Sequence, residues 1–105
     1  MKTVKLTIQK KYFDLIASGE KTSEYRSCTP RYKNIFDKNP DTLILHYFHG
    51  EELTAQIKKI EIIDSPDFLK ETGIQFTEQV YKIDLVEPKV TLNKNLKSKI
   101  DRNDE

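Results

Sequence analysis

Several residue types are scarce in this chain, and their scarcity excludes whole classes of protein. Only one of the 105 residues is cysteine, so neither an intramolecular disulfide nor a cysteine-based zinc site can form, which favours a reducing compartment. Three glycines leave no glycine-rich phosphate-binding loop. No apolar run has the form of a signal peptide or the length of a membrane-spanning helix. We therefore expect a cytoplasmic protein without membrane contacts.

An excess of charge of one sign is also lacking, although charged residues make up 33% of the chain. The 18 Lys and Arg nearly balance the 17 Asp and Glu, which leaves a formal net charge of +1. A protein that coats nucleic acid through general attraction would need a large positive excess. Any nucleic-acid binding must come from a local patch, to which the five Tyr and five Phe offer stacking surfaces.

The length is that of one small domain. Hydrophobic periodicity predicts five strands, near residues 4–8, 22–26, 41–48, 53–62 and 78–86. Two or three short helices are expected, at 10–18, within 29–40 and after residue 65. Bends rather than long crossovers join the strands, so we expect an α+β fold with a small curved β-barrel. We assign residues 1–91 to this domain and the polar residues 92–105 to a mobile tail.

Four details of the pattern concern where elements bend, begin and end. The apolar residues of the fourth strand change parity, which predicts a bulge around Lys58-Lys59 and returns Ile60 and Ile62 to the inward face. Ser65, which precedes a proline, is expected to cap the following helix, and Gly73 is expected to end it. Glu87-Pro88 is expected to end the last strand.

The most informative stretch has closely spaced charged side chains and lies between Gly19 and Arg26. Gly19 is expected to end the first helix. Strand alternation places Glu24 and Arg26 on one face, with Lys21 just before them and Tyr25 on the opposite face, where it is expected in the core. Lys21 and Arg26 suit a phosphate or a base, while Glu24 suits an exocyclic amine such as that of cytosine. The alternative interpretation is an ion network that pins the strand to the sheet.

The helix followed by Gly19-x-Lys21-x-x-Glu24-x-Arg26 resembles the signature of ASCH domains, the ASC-1 homology branch of the PUA-like superfamily. The resemblance covers most of residues 2–90 and includes small bacterial members, which are often found in phages and mobile elements. It continues in Thr29-Pro30-Arg31-Tyr32-Lys33 and Ile35-Phe36. It implies a PUA-like barrel with an RNA- or nucleotide-binding cleft at the signature.

Residues next to the signature extend this candidate site. Arg31 and Lys33 are expected to contact RNA or a nucleotide together with the signature residues. Tyr32 either packs the 29–40 insertion onto the barrel or leaves its ring exposed for stacking, and Phe36 is expected to pack.

Two further functions are alternatives to binding. Some small ASCH proteins are amidohydrolases on acetylated cytidine, with a Lys in the signature, a Thr three residues later and a downstream Glu. Lys21 matches that Lys, but Glu24 occupies the position of the Thr, and Glu71 is only a loose candidate for the downstream carboxylate. This departure ranks hydrolysis of an N-acylated cytidine second. A protein-interaction module with a purely structural signature is the third alternative.

No cofactor and no metal ion are expected. His46 and His49 do not share a face of a strand, and no other ligand has a matching spacing. Cys28 is expected to be a buried thiol rather than a nucleophile. The oligomeric state does not follow from the sequence.

Overall fold

The structure of the protein is a computed structural model, and it describes residues 2–47 and 50–92. Predictions for Phe48 and His49 lie outside these residues. So does the proposed tail, except for Leu92, the last residue of the final strand.

Five strands, two α-helices and one 3₁₀ helix make up the described chain, as the periodicity predicts. Gly19 and Gly73 end a helix in the left-handed conformation, with φ of 85° and 74°, and both were predicted as stops. In chain order the elements are β1 (Thr3–Thr7), α1 (Lys10–Ser18), β2 (Ser23–Ser27), α2 (Pro30–Phe36), β3 (Thr42–His46), β4 (Glu51–Asp64), the 3₁₀ helix (Asp67–Thr72) and β5 (Gln79–Leu92).

The strands form one mixed sheet in the order β1-β3-β4-β5-β2. β1 pairs with β3 in parallel, and all other neighbours are antiparallel. The sheet curls into a half-barrel, which confirms the predicted small α+β barrel. β1 and β2, far apart in strand order, are its two edge strands. The signature residues therefore lie on an edge of the sheet.

One hydrophobic core fills the concave side of this sheet. Phe13 and Ile16 of α1 and Phe36 of α2 are almost fully buried in it. They pack on the inward residues of the strands, and burial of this kind contributes about 1.5–3 kcal/mol for each large side chain. The strand residues of the core are Leu6, Leu43, Leu45, Leu53, Ala55, Tyr81, Ile83 and Leu85.

The two long strands pair through two bulges, of which one was predicted. Ile57 pairs with Leu85 and Lys59 with Asp84, so Lys58 is the extra residue that alternation placed around Lys58-Lys59. The other bulge falls at Glu87-Pro88, where Glu87 has φ of 54°. The prediction that Glu87-Pro88 ends the last strand is wrong, because a proline at a bulge does not have to donate to the ladder.

Two smaller predictions are also wrong. Ile62 is 55% exposed rather than inward. Alternation predicts on which face of a strand a side chain lies, but it does not predict how much of that face is covered by other parts of the protein. Ser65 does not cap the next helix, which is a short 3₁₀ helix with Pro66 at its cap position and no side-chain cap. A proline fixes an extended entry without supplying an acceptor.

Candidate functional site

The end of α1 and the start of β2 place the signature at the edge of the half-barrel. After Gly19, the amide of Lys21 donates to the carbonyl of Leu15 over 3.0 Å, which turns the chain back along the helix before β2 begins. Among residues 2–47 and 50–92, β2 then pairs only with β5. The Lys21 side chain is therefore held at the free edge of β2.

Lys21, Glu24 and Arg26 meet in one charged cluster, as alternation predicts. Glu24 is only 5% exposed. Its Oε1 accepts from Lys21 Nζ over 3.0 Å, and its Oε2 accepts from Arg26 Nη2 over 2.6 Å and from Arg26 Nε over 3.1 Å. A buried carboxylate between two cations is well compensated, and the charged cluster as a whole has a formal charge of +1.

Arg26 also joins the two edges of the sheet. Its Nη2 donates to the main-chain carbonyl of Thr7, at the end of β1, over 2.8 Å, and its Nη1 donates to the Tyr32 hydroxyl over 3.1 Å. Burial alone would lower the pKa of Arg26, but the Glu24 carboxylate and the Tyr32 hydroxyl outweigh it, so the pKa is raised. Arg26 is thus a permanent cation that closes the half-barrel, which agrees with the pinning role considered from the sequence.

Lys21 lies between two aromatic rings that do not belong to the signature pattern. Its Nζ is 5.6 Å from the ring centre of Tyr12 and 5.4 Å from that of Tyr25, within the range of cation–π attraction. Tyr25 is half-buried and makes an edge-to-face contact with Phe68, with ring centres 5.4 Å apart. The expectation that Tyr25 lies in the core is wrong, because the face of β2 opposite Glu24 is covered by the 3₁₀ helix and not by the main core.

A cleft of about 690 Å³ opens beside the charged cluster. Aromatic and aliphatic side chains from α1, β2, the 3₁₀ helix and the chain that follows it supply most of its walls. Its charged lining comprises three cations and three carboxylates: Lys11, Lys21, Arg26, Glu20, Glu24 and Glu71. The cleft is therefore apolar, neutral overall and locally charged.

The remaining sequence-predicted residues lie on different sides of this cleft. Tyr32 lines it, and Glu71 lines it from the 3₁₀ helix, whereas Arg31 and Lys33 are exposed residues outside its lining. The Arg31 guanidinium lies 5.3 Å from the centre of the Tyr32 ring. Arg31 therefore extends the site outward from the cleft through Tyr32.

The ring of Tyr32 combines the two roles expected for it. It stacks on Phe36, which is buried as predicted, with ring centres 6.1 Å apart. It also contacts Arg26 and lines the cleft, so it packs the insertion while presenting part of its surface.

Sequence reasoning missed the aromatic walls of the cleft. Helical spacing indicates only that Tyr12 lies on the apolar side of α1, and Phe68 and Phe76 follow no period that relates them to the signature. One signal in the sequence could have revealed them. Large aromatic residues occur in short segments that contribute few other residues to the hydrophobic core.

The structure also bears on the thiol, on metal ligands and on membrane-spanning helices. Cys28 is partly buried against the core, and burial, assisted by Asp37, raises the pKa of its thiol. Within residues 2–47 and 50–92, no three His, Cys, Asp or Glu side chains come together as metal ligands do. No helix in the described part of the chain has both the length and the apolar character needed to cross a membrane.

The curled mixed sheet is the fold expected of a PUA-like domain. The chain belongs to the ASCH domain family, whose model matches residues 6–95. Membership indicates a function of the RNA-binding type in general terms. No curated protein and no solved structure matches the chain significantly.

Proposed function

We propose that the cleft binds a nucleotide or an unpaired nucleotide of RNA through the charged cluster. The observation that carries this proposal is the Lys21 ammonium, which is held by the buried Glu24 and lines a cleft together with tyrosine rings. Rings stack on bases, and an ammonium donates to phosphate or carbonyl oxygens.

The three charged residues have different roles in this proposal. Arg26 already donates to Glu24, Thr7 and Tyr32, so it orders the site rather than reaching far into the cleft. Glu24 keeps both cations in place. Lys21 has three N–H donors and uses one on Glu24, which leaves donors for a ligand.

The charges in and around the cleft indicate which part of the ligand lies inside it and which part lies outside. A neutral, apolar cleft favours a planar ring over a run of phosphates, which would gain little from three cations offset by three carboxylates. Phosphates of a longer RNA would lie outside, next to the exposed Arg31 and Lys33. The cleft thus takes one base, and the 29–40 segment follows the backbone.

Lys21→Ala tests the role of Lys21 in the cleft. A charge-assisted hydrogen bond contributes about 1.5–3 kcal/mol, so affinity for cytidine monophosphate is expected to fall about 10- to 100-fold. The measurement is an amide-resolved NMR titration. Lys59→Ala is the matched control, since Lys59 carries the same charge on β4 outside the cleft and should leave affinity unchanged. Equal binding by Lys21→Ala and the parent would contradict the proposal.

The double variant Arg31→Ala, Lys33→Ala tests the outer contacts. Binding of a short single-stranded RNA should weaken, and the slope of log affinity against log salt should fall by about 1.4, or roughly 0.7 for each lost phosphate contact. Binding of an uncharged nucleoside should stay the same. An unchanged salt slope would show that neither residue contacts the backbone.

Hydrolysis of an N-acylated cytidine is the second candidate. The observation in its favour is that Glu71 lines the same cleft as Lys21 and Glu24. Against it, both Glu24 oxygens already accept from cations, so a water molecule activated by Glu24 would have to share them. Release of acetate from N4-acetylcytidine by the parent, lost in Glu24→Gln, would establish this activity, and its absence across a panel of acylated nucleosides would exclude it.

A further inference from the structure

The pairing of β2 with β5 determines which main-chain groups of β2 face the free edge of that strand. Leu85 donates to the carbonyl of Thr22 over 2.8 Å, and Cys28 donates to the carbonyl of Gln79 over 3.4 Å. In an antiparallel ladder the residues that bond to the neighbour alternate with residues that turn their N–H and C=O away. The even-numbered residues of β2 therefore bond to β5, and Ser23, Tyr25 and Ser27 face the free edge.

Tyr25 is the residue at which this edge is open to the cleft. The Ser27 carbonyl already accepts from the amide of Thr29 over 2.9 Å, and Ser23 is not part of the cleft lining. Tyr25 lines the cleft, and within residues 2–47 and 50–92 no group hydrogen-bonds to its main-chain N–H or C=O. A donor and an acceptor of one residue thus lie side by side on the free edge of β2, at a residue that lines the cleft.

The surroundings of this open pair suit a flat ring. The Lys21 ammonium contacts both Glu24, on one face of β2, and the ring of Tyr25, on the other, so it lies at the strand edge. The ring of Tyr12 lies on the far side of that ammonium. A planar ligand in line with β2 would meet the strand edge with its rim and Lys21 with an acceptor.

We propose that the main-chain N–H and C=O of Tyr25 read the rim of a heterocyclic base that carries a hydrogen-bond donor next to an acceptor. This inference rests on the proposed function and names how the same cleft selects its ligand. Cytosine offers such a pair at its exocyclic amine and N3, and uracil at N3–H and a carbonyl. A purely acceptor or fully alkylated rim leaves one Tyr25 group unpaired.

An added peptide strand would be the other occupant of a sheet edge, but the opening is too short for it. Strand addition gains affinity from several successive main-chain bonds. At one end of the opening, the Ser27 carbonyl is already occupied by the hydrogen bond from the Thr29 amide. At the other end, Ser23 does not line the cleft. One base fits this opening, and several peptide residues do not.

Two ligand pairs test this inference from the side of the ligand. Cytidine is compared with N4,N4-dimethylcytidine, and uridine with 3-methyluridine, in NMR titrations of the whole chain. The parent nucleoside that binds should move the Tyr25 amide proton downfield, and its methylated form should bind about 5- to 10-fold more weakly without that shift. Equal affinity within both pairs, with Lys21-dependent binding retained, would overturn the inference and leave the proposed function standing.

A matched pair of variants tests the same contact from the side of the protein. Tyr25→Ala removes the ring but keeps the main-chain N–H, whereas Tyr25→Pro removes both, and proline is tolerated where an edge strand turns its N–H outward. Tyr25→Pro should bind about 5- to 10-fold more weakly than Tyr25→Ala, with the remaining amide spectrum retained. Equal binding by the two folded variants would contradict the inference.

Two further outcomes concern the alternatives. Absence of saturable shifts with every nucleoside would contradict the proposed function, and the inference would fall with it. A Thr-Val-Thr-Val-Thr peptide serves as the strand-forming probe. Shifts of the Ser23, Tyr25 and Ser27 amides with this peptide, without a response to nucleosides, would identify the edge as a peptide site instead.

Discussion

Replacing Glu24 with alanine is expected to lower the free energy of unfolding by about 3–5 kcal/mol, because it leaves Lys21 and Arg26 facing each other in a site that excludes most water. Domains of this size are stable by about 5–15 kcal/mol, so the variant should lie near the limit of folding. The measurement is urea denaturation of the parent and the variant, with equal slopes as a check on the comparison.

Glu61→Ala is the matched control for Glu24→Ala. Glu61 also lies between two lysines, Lys59 at 3.4 Å and Lys82 at 3.8 Å, but its side chain is 33% exposed. Water replaces the lost partner there, so the cost should stay below about 1 kcal/mol. Similar losses in the free energy of unfolding for Glu24→Ala and Glu61→Ala would show that Glu24 does not neutralise buried cations in the charged cluster.

Exchanging Arg26 for lysine is expected to lower the free energy of unfolding by about 2–3 kcal/mol, although the charge is kept. A lysine ammonium has no planar fork and cannot donate to Glu24, the Thr7 carbonyl and Tyr32 together. The link between the two edge strands should be lost with it. Urea denaturation measures the cost, and amide shift changes that extend to Thr7 and Ile8 report the opened edge.

Arg31→Lys is the control for Arg26→Lys. Arg31 is exposed, with a contact to the Tyr32 ring, so the same chemical change should alter stability by no more than about 0.5 kcal/mol. An Arg26→Lys variant as stable as Arg31→Lys would contradict the role of Arg26 in closing the half-barrel.

Local pattern was sufficient for much of this fold. Alternation placed Glu24 beside Arg26, the change of parity placed the bulge at Lys58, and the glycines at 19 and 73 marked the helix ends. Each of these features depends on a few neighbouring residues whose spacing fixes their geometry. Glu87-Pro88 misled the same reasoning, since a bulge within a pair of strands and the end of a strand have the same local composition.

The site was predictable only where it lies within one strand. The hydrogen bond from Arg26 to Thr7 depends on the curl of the whole sheet, which brings together edges that are not neighbours in strand order. The position of Tyr25 beside Lys21 depends on β2 being an edge strand, covered by a 3₁₀ helix more than forty residues away in the sequence. Periodicity carries no information on either.

The central claim is that the charged cluster and the cleft beside it bind a nucleotide. Its most direct test is an amide-resolved NMR titration of the intact chain with cytidine monophosphate at low and moderate salt, with acetate release from N4-acetylcytidine followed in parallel. We predict saturable shifts centred on Lys21, Glu24, Tyr25 and Arg26. Absence of localised shifts at these residues would contradict the claim and would favour a scaffold whose function lies in protein contacts.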